Sequence, residues 1–277
     1  MGRVERRMYR RARGQAVLRR ALAAGIVLLA ALAVAVRQKS ADGLQTDYLP
    51  QPTATPVASA YDETVETREI SLEEVQWFAI QTGIYSTEAA AAEKRDTYAK
   101  RGAPGYVNQD GDKWRVYIAC YGSKEDAQAV RERLRGNQDV ETFLHTWVCP
   151  AITLRLTGMA GQVDVVEAGL SLLGNAGAAL RDSAALLDSG ERTLAETRSV
   201  AQALDEQVRL WRDTTRARFT KPYPELVAME LTMADAWDAK FAAIAKAEGA
   251  TELSAAMKLQ AMALFDESCG LREALME

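Results

Sequence analysis

The sequence predicts an α+β protein in three parts: an N-terminal transmembrane helix, a β-α-β-β-α-β domain, and an all-α helical bundle. Three observations carry this expectation. Residues 21–36 hold no charge; residues 75–148 alternate β-branched and aromatic runs with segments that begin on Ser or Thr and are rich in Ala; after Gly161 the apolar residues recur at 3-4 spacing. A length of 277 residues suits one large or two modest domains, and 26% charged against 48% hydrophobic residues excludes wholesale disorder.

The first 20 residues carry eight arginines and one acid, Glu5, a local charge of +7 that leaves −11 for the rest of a chain totalling −4. A basic tail (residues 1–20) on an acidic body meets an acidic surface at one end only. The next segment says which surface. Ala21 to Val36 reads ALAAGIVLLAALAVAV with no polar stripe. As a helix it is roughly 24 Å long, near the short limit for a bilayer core of about 30 Å, and Arg19, Arg20 and Arg37 can snorkel from its ends. Ala31-Leu32-Ala33 and Ala33-Val34-Ala35 resemble signal-peptide cleavage sites, but the basic region is long for a leader and Val34, Val36 and Arg37 are poor neighbours for cleavage. An uncleaved single-pass anchor in the cell membrane is therefore expected, with the N-terminus cytoplasmic and everything after Arg37 extracytoplasmic. Residues 37–73, with Pro50, Pro52 and Pro56 and no apolar periodicity, read as an extended linker.

The folded domain is expected over residues 74–150. Val75 to Tyr85 (VQWFAIQTGIY) is a strand, and Ser86-Thr87-Glu88 starts a helix that continues to Ala99. Tyr106 to Gln109 is a short strand, Asp110-Gly111-Asp112 a hairpin turn, and Lys113 to Tyr121 a second strong strand. Ser123 to Leu134 is a helix ended by Gly136, and Val140 to Val148 a fourth strand. This order covers one sheet face with two helices and leaves the other open, so residues 70–158 are expected to fold alone.

Residues 151–277 read as the bundle. Ile152 to Leu156 alternates and is able to add a strand. Four apolar stripes follow: Val163 to Leu187, Leu194 to Trp211, Leu226 to Ile244, and Leu253 to Leu275. Their first use is a bundle core; a seam paired with a second protein is the alternative. Gly169, Gly174 and Gly177 weaken the first helix and make it the best candidate to swap partners.

The strand motifs resemble those of the SPOR domain, the peptidoglycan-binding module of bacterial cell-division and sporulation proteins. That family carries V-Q-x-G-x-F in its first strand, matched here by Ile80-Gln81-Thr82-Gly83-Ile84-Tyr85. It also carries Y-R-V-x-v-G-P-F-x-S-x-E-x-A, matched by Trp114-Arg115-Val116-Tyr117-Ile118-Ala119-Cys120-Tyr121-Gly122-Ser123-Lys124-Glu125-Asp126-Ala127. Ala119-Cys120 stands where Gly-Pro is common, and Ile84 where a small polar residue near the ligand is common. The resemblance implies a ferredoxin-like sheet domain and glycan strands of peptidoglycan as partner, recruited to a septum in cell division or sporulation.

Strand alternation gives the same face a chemistry. Phe78, Ile80 and Thr82 share one side of their strand; Trp77, Ala79 and Gln81 share the other, as Arg115 and Tyr117 do in theirs. The apolar sets suit the helix-covered face, which places Trp77, Gln81, Arg115 and Tyr117 on the open one. Aromatic rings stack on pyranose faces, and an amide pairs with hydroxyl or N-acetyl groups. A guanidinium grips the lactyl carboxylate that a glycan exposes once its stem peptides are gone. The expected glycan-binding residues are thus Trp77, Gln81, Arg115 and Tyr117, with Ile84 added by the resemblance.

Other functions are excluded or unsupported. One histidine, His145, and three cysteines, Cys120, Cys149 and Cys269, cannot build a common zinc site, and no cofactor or metal is implied. Cys120 and Cys149 read as buried free thiols because their strand ends need not meet, a bridge between them being the alternative, and His145 reads as structural. Residues 75–149 hold ten basic and ten acidic residues, which gives no surface for nucleic acid. No nucleophile–base set or carboxylate pair marks an enzyme; a cell-wall hydrolase, or a regulator of one, is the alternative.

Overall fold

The computed structural model describes residues 64–138 and 140–276, so the basic tail, the expected anchor and most of the expected linker lie outside it. Strand β1 (Val65–Leu72) is followed by β2 (Val75–Tyr85), helix α1 (Glu88–Ala99), β3 (Tyr106–Asp110), β4 (Lys113–Tyr121), α2 (Lys124–Gln138), β5 (Phe143–Cys149) and β6 (Ile152–Met159). Four helices complete the described chain: α3 (Ala160–Asp188), α4 (Leu194–Arg218), α5 (Glu225–Ala245) and α6 (Ala250–Ala274).

The expected order β-α-β-β-α-β is present as an antiparallel sheet with strand order β3-β4-β2-β5. Thr87 caps α1, its hydroxyl accepting from the Ala90 amide at 3.3 Å. Helix α2 runs past Gly136 to Gln138, because a glycine costs a helix only about 1 kcal/mol and need not end it. One face of the sheet is covered by α1 and α2, where Ile80, Ile118 and Ala119 meet Tyr98 and Leu134. That agrees with the alternation read for β2.

The linker boundary differs from the sequence reading. The end of the stretch assigned to residues 37–73 is strand β1, which pairs antiparallel with β6 from Val65↔Met159 to Leu72↔Ile152. Its apolar content is too low for recognition alone: only Val65, Ile70 and Leu72 are apolar in VETREISL. The strand forms because β6 supplies its ladder and Ile70, Leu72, Leu154 and Leu156 pack onto the bundle. The alternating run at Ile152 thus becomes a strand of a separate two-stranded ribbon, not of the main sheet.

The four stripes are the bundle core. Val163, Val166, Leu170, Leu173, Leu180, Ala184 and Leu187 of α3 are buried with Ala201, Leu204, Val208 and Trp211 of α4, and with Trp237 and Phe241 of α5. Thr193 and Glu196 form a capping box at the start of α4, and Gly190 takes the positive φ of 74° that the preceding turn requires. Helix α3 is the one described helix long and apolar enough to cross a membrane by length and composition, and half of that apolar window is buried inside the protein. It sits between α4, α6 and the sheet. Gly177 explains the fit: a Cβ there would lie 3.2 Å from the Ala261 carbonyl oxygen and 3.3 Å from the Trp77 ring. The glycine read as a weakness of the first helix is the point where α3 meets both neighbours.

The second face of the sheet is where the structure departs most from the sequence. Trp77, Ala79, Tyr117, Cys120 and Cys149 belong to the same continuous core as the bundle. The boundary expected at residue 150 separates segments of chain, but no surface of water divides the two cores.

Candidate functional site

Five residues were expected to line the open sheet face, and the structure splits them into two groups along the strands. Trp77 and Tyr117 are at the covered end, with 2% and 1% of their surface exposed. Phe265 of α6 stacks on the Trp77 ring at 4.3 Å, with a 14° angle between planes, and meets Trp147 edge-on at 5.3 Å. Tyr117 stacks on Trp147 at 5.4 Å. The Arg181 guanidinium lies over the same Trp77 ring, 4.5 Å from its centre. Sequence reasoning assigned these two aromatics to sugar stacking; a protein ring already occupies that position. They are core residues, a correction that follows from the docking of α6.

Polar contacts fasten the same helix. The Tyr106 hydroxyl donates to Asp266 Oδ2 at 2.8 Å and Asn108 Nδ2 to Asp266 Oδ1 at 2.9 Å, tying α6 to edge strand β3. Burial and the Asp266 carboxylate push the Tyr106 phenol far above its ordinary value, so it stays a donor. Arg272 Nη1 donates to the carbonyls of Glu73 and Pro150 at 2.6 and 2.9 Å, closing the chain crossings from β1 to β2 and from β5 to β6.

Ile84 and Arg115 lie at the other end of the strands, with Gln81 between the two groups opposite Tyr117, and these three share a pocket of about 290 Å³ with Gly83, Phe143, Leu144 and His145. Simple alternation would put Ile84 on the opposite side from Gln81. Two irregularities in the β2–β4 register change this: Ile80↔Ala119 is followed by Gln81↔Tyr117, then by Gly83↔Val116 and Ile84↔Arg115. Ile118 and Thr82 are each left over, one in each strand. Such bulges re-aim side chains. Ile84 therefore returns to the pocket side, opposite Arg115, and Cys120 turns towards the bundle.

Arg115 is the centre of the pocket. Its Nη1 donates to Gln81 Oε1 at 2.9 Å, and its Nε to Asp110 Oδ2 at 2.7 Å. Nη2 lies 2.6 Å from the same carboxylate oxygen. A guanidinium has five N–H groups, so this leaves two for a ligand. Gln81 is 5% exposed, so its role is to hold the guanidinium rather than to reach outward. Ile84 and Phe143 remain 50% and 52% exposed and form an apolar rim.

Three residues of the site were not assigned to it from the sequence, where His145 read as structural and Asp110 as part of a turn. Phe143 and His145 are on β5, where Phe143 pairs with Gln81 and His145 with Ala79. Alternation along that strand, with Phe143, His145, Trp147 and Cys149 on one side, was the available signal. Asp110 reads locally as a turn residue, and its partnership with Arg115 spans the hairpin. Burial first, and then the positive charge of Arg115, hold the His145 imidazole below its ordinary 6.5. At neutral pH it is uncharged, with one nitrogen donating and one accepting. The pocket thus offers a cation, a neutral donor–acceptor ring and an apolar rim. That combination suits a sugar bearing one carboxylate.

The comparisons agree with the motif reading. The SPOR domain family model matches residues 77–144. Residues of this chain are 30% identical over 70 positions to the endolytic peptidoglycan transglycosylase RlpA of Escherichia coli K12, covering 25% of this chain and 19% of that protein. The counterpart from Escherichia coli O157:H7 is 29% identical over the same length and shares. The chain thus spans about a fifth of the curated relatives it matches, and no solved structure matches it significantly. Residues 77–144, which run from Trp77 of β2 to the start of β5 and hold six of the seven pocket residues, match the SPOR domain.

Proposed function

We propose that this protein binds peptidoglycan, and specifically glycan strands stripped of their stem peptides, through the pocket around Arg115. In this reading residues 21–36 anchor it in the cell membrane with the folded part outside, and the glycan draws it to a septum in division or sporulation. The observation that carries the proposal is Arg115 itself: a guanidinium held by Gln81 at 2.9 Å, beside an exposed apolar rim, within the segment that matches the SPOR domain. The transglycosylase relative acts on peptidoglycan by its name, and the shared 70 residues support the same polymer as the partner here.

The test is co-sedimentation of the full-length protein with intact and amidase-treated sacculi. Binding is expected to be stronger to the treated wall, because only that wall exposes lactyl carboxylates. A charge-assisted hydrogen bond is worth about 1.5–3 kcal/mol, so Arg115→Ala should weaken binding by roughly tenfold to a hundredfold. Equal binding to both walls would remove the carboxylate from the account. Release of soluble fragments would make the protein an enzyme.

Asp110 gives a prediction of opposite sign. Its carboxylate neutralises the guanidinium from the same hairpin and competes with any ligand anion. Asp110→Asn keeps the size of the side chain and removes the charge, so affinity for the treated wall should rise by up to about fivefold, the range of a partly exposed ion pair. A fall in affinity would mean that Asp110 positions Arg115 more than it competes with the ligand.

A further inference from the structure

We infer that the pocket reads a short segment of glycan, a single carboxylate-bearing sugar with its neighbour, because α6 permanently occupies the rest of the sheet face. This rests on the glycan reading above and narrows it to a ligand size.

The sheet face has a built wall. Phe265 fills the space between Trp77 and Trp147, with centroid distances of 4.3 and 5.3 Å. Asp266 binds both Tyr106 and Asn108 on the edge strand, and Arg272 binds two backbone carbonyls. These side chains all come from one face of α6, and their partners belong to the continuous core of sheet and bundle. A lid would expose a mostly polar seam on opening. Opening this one would bare Trp77, Tyr117 and Phe265, three buried aromatics.

What remains is small. From Gln81 to Ile84 the patch extends three residues along β2, about 10 Å at the rise of a strand. From Arg115 on β4 to Phe143 on β5 it crosses two strand spacings, again about 10 Å. The pocket volume of about 290 Å³ lies at the lower edge of the ~300–1,000 Å³ typical of small-molecule sites. A glycan lying across the strands leaves the protein beyond β5, and on the other side it reaches edge strand β3, where Asn108 is already bound by Asp266 of α6 and Asp110 by Arg115. Additional sugars gain solvent on one side and meet side chains already bound to the protein on the other.

Titration of the full-length protein in detergent micelles with a length series tests this. The probes are β-1,4-linked N-acetylated oligosaccharides with a free lactyl carboxylate, from disaccharide to long denuded strands, compared per binding unit. The disaccharide is expected to bind within about threefold of the longest strand, since contacts beyond the pocket are absent. The same disaccharide with its carboxylate converted to an amide should bind at least about tenfold more weakly, having lost its charge-assisted partner. Long strands that bind more than tenfold tighter than the disaccharide would overturn the size limit and leave the glycan reading intact. No binding by either short or long strands would instead overturn the glycan reading itself.

Discussion

Replacing Phe265 with alanine is expected to destabilise sheet and bundle together, by about 3–5 kcal/mol, the cost of removing a buried phenylalanine from a packed core. The ring touches Trp77 of β2 and Trp147 of β5, so its loss leaves a cavity that neither the helix nor the sheet can close alone. Chemical denaturation of the full chain in micelles, followed by tryptophan fluorescence and by far-ultraviolet circular dichroism, reads this directly. Both signals should shift to lower denaturant by the same amount, as one cooperative transition. Truncation is the stronger form of the same experiment. Residues 64–159 alone would carry Trp77, Tyr117 and Cys149 on a bare face and lack the carboxylate that Tyr106 and Asn108 bind. That fragment is expected to be partly folded and prone to association, in contrast to the self-sufficient domain read from the sequence. A fragment with native-like fluorescence and a sharp transition would show that the bundle is an addition to the sheet and not part of its core.

A second large effect is expected from Glu230 on α5. The side chain is fully buried, neither carboxyl oxygen has a hydrogen-bond partner among the described residues, and burial pushes its pKa from 4.5 up to about 9. It is held against Gly169 and Trp211: a Cβ on Gly169 would lie 2.7 Å from Glu230 Oε1 and 2.4 Å from the Trp211 ring. Only a glycine lets α3 pass so close. Because the folded state holds the proton more tightly than the unfolded chain does, Glu230 is neutral in both below about pH 4.5 and costs nothing extra there. As pH rises from 4.5 to about 9 the unfolded state ionises first, and stability falls throughout that window. At pH 7 the loss amounts to about 3 kcal/mol. Glu230→Gln removes the titration, so the variant should gain on the wild type steadily between pH 5 and pH 9 in thermal or denaturant melts. Parallel stability curves for the two proteins across that range would show that Glu230 does not carry this pH dependence.

Much of the bundle was legible because helix periodicity is a local signal. Val163, Leu170, Leu180 and Leu187 declare a buried face whatever lies opposite, and each is buried. The domain was legible for a different reason: two strand motifs at the right separation, around Gln81 and Arg115, resemble a known module, and residues 77–144 match it. Alternation also gave the correct side for Trp77, Gln81, Arg115 and Tyr117. It failed at Ile84, since the bulges at Thr82 and Ile118 shift parity and leave no mark on composition. It failed at β1, whose pairing comes from a strand 87 residues later.

Local sequence set the order of the elements from β2 onward, the helical seams, the side of the sheet for Trp77, Gln81, Arg115 and Tyr117, and Arg115 as the cation at its centre. These follow from short-range sterics and hydrophobic periods of two and 3.6 residues. Only the tertiary structure decided how much of the open face stays open. Arg272 reaches the Glu73 carbonyl across 199 positions, and Phe265 reaches Trp77 from the same helix. An aromatic on a strand has the same local signature whether a sugar or a distant phenylalanine covers it. The burial of Trp77 and Tyr117, and the exposure of Ile84 and Phe143, were settled by where α6 docks.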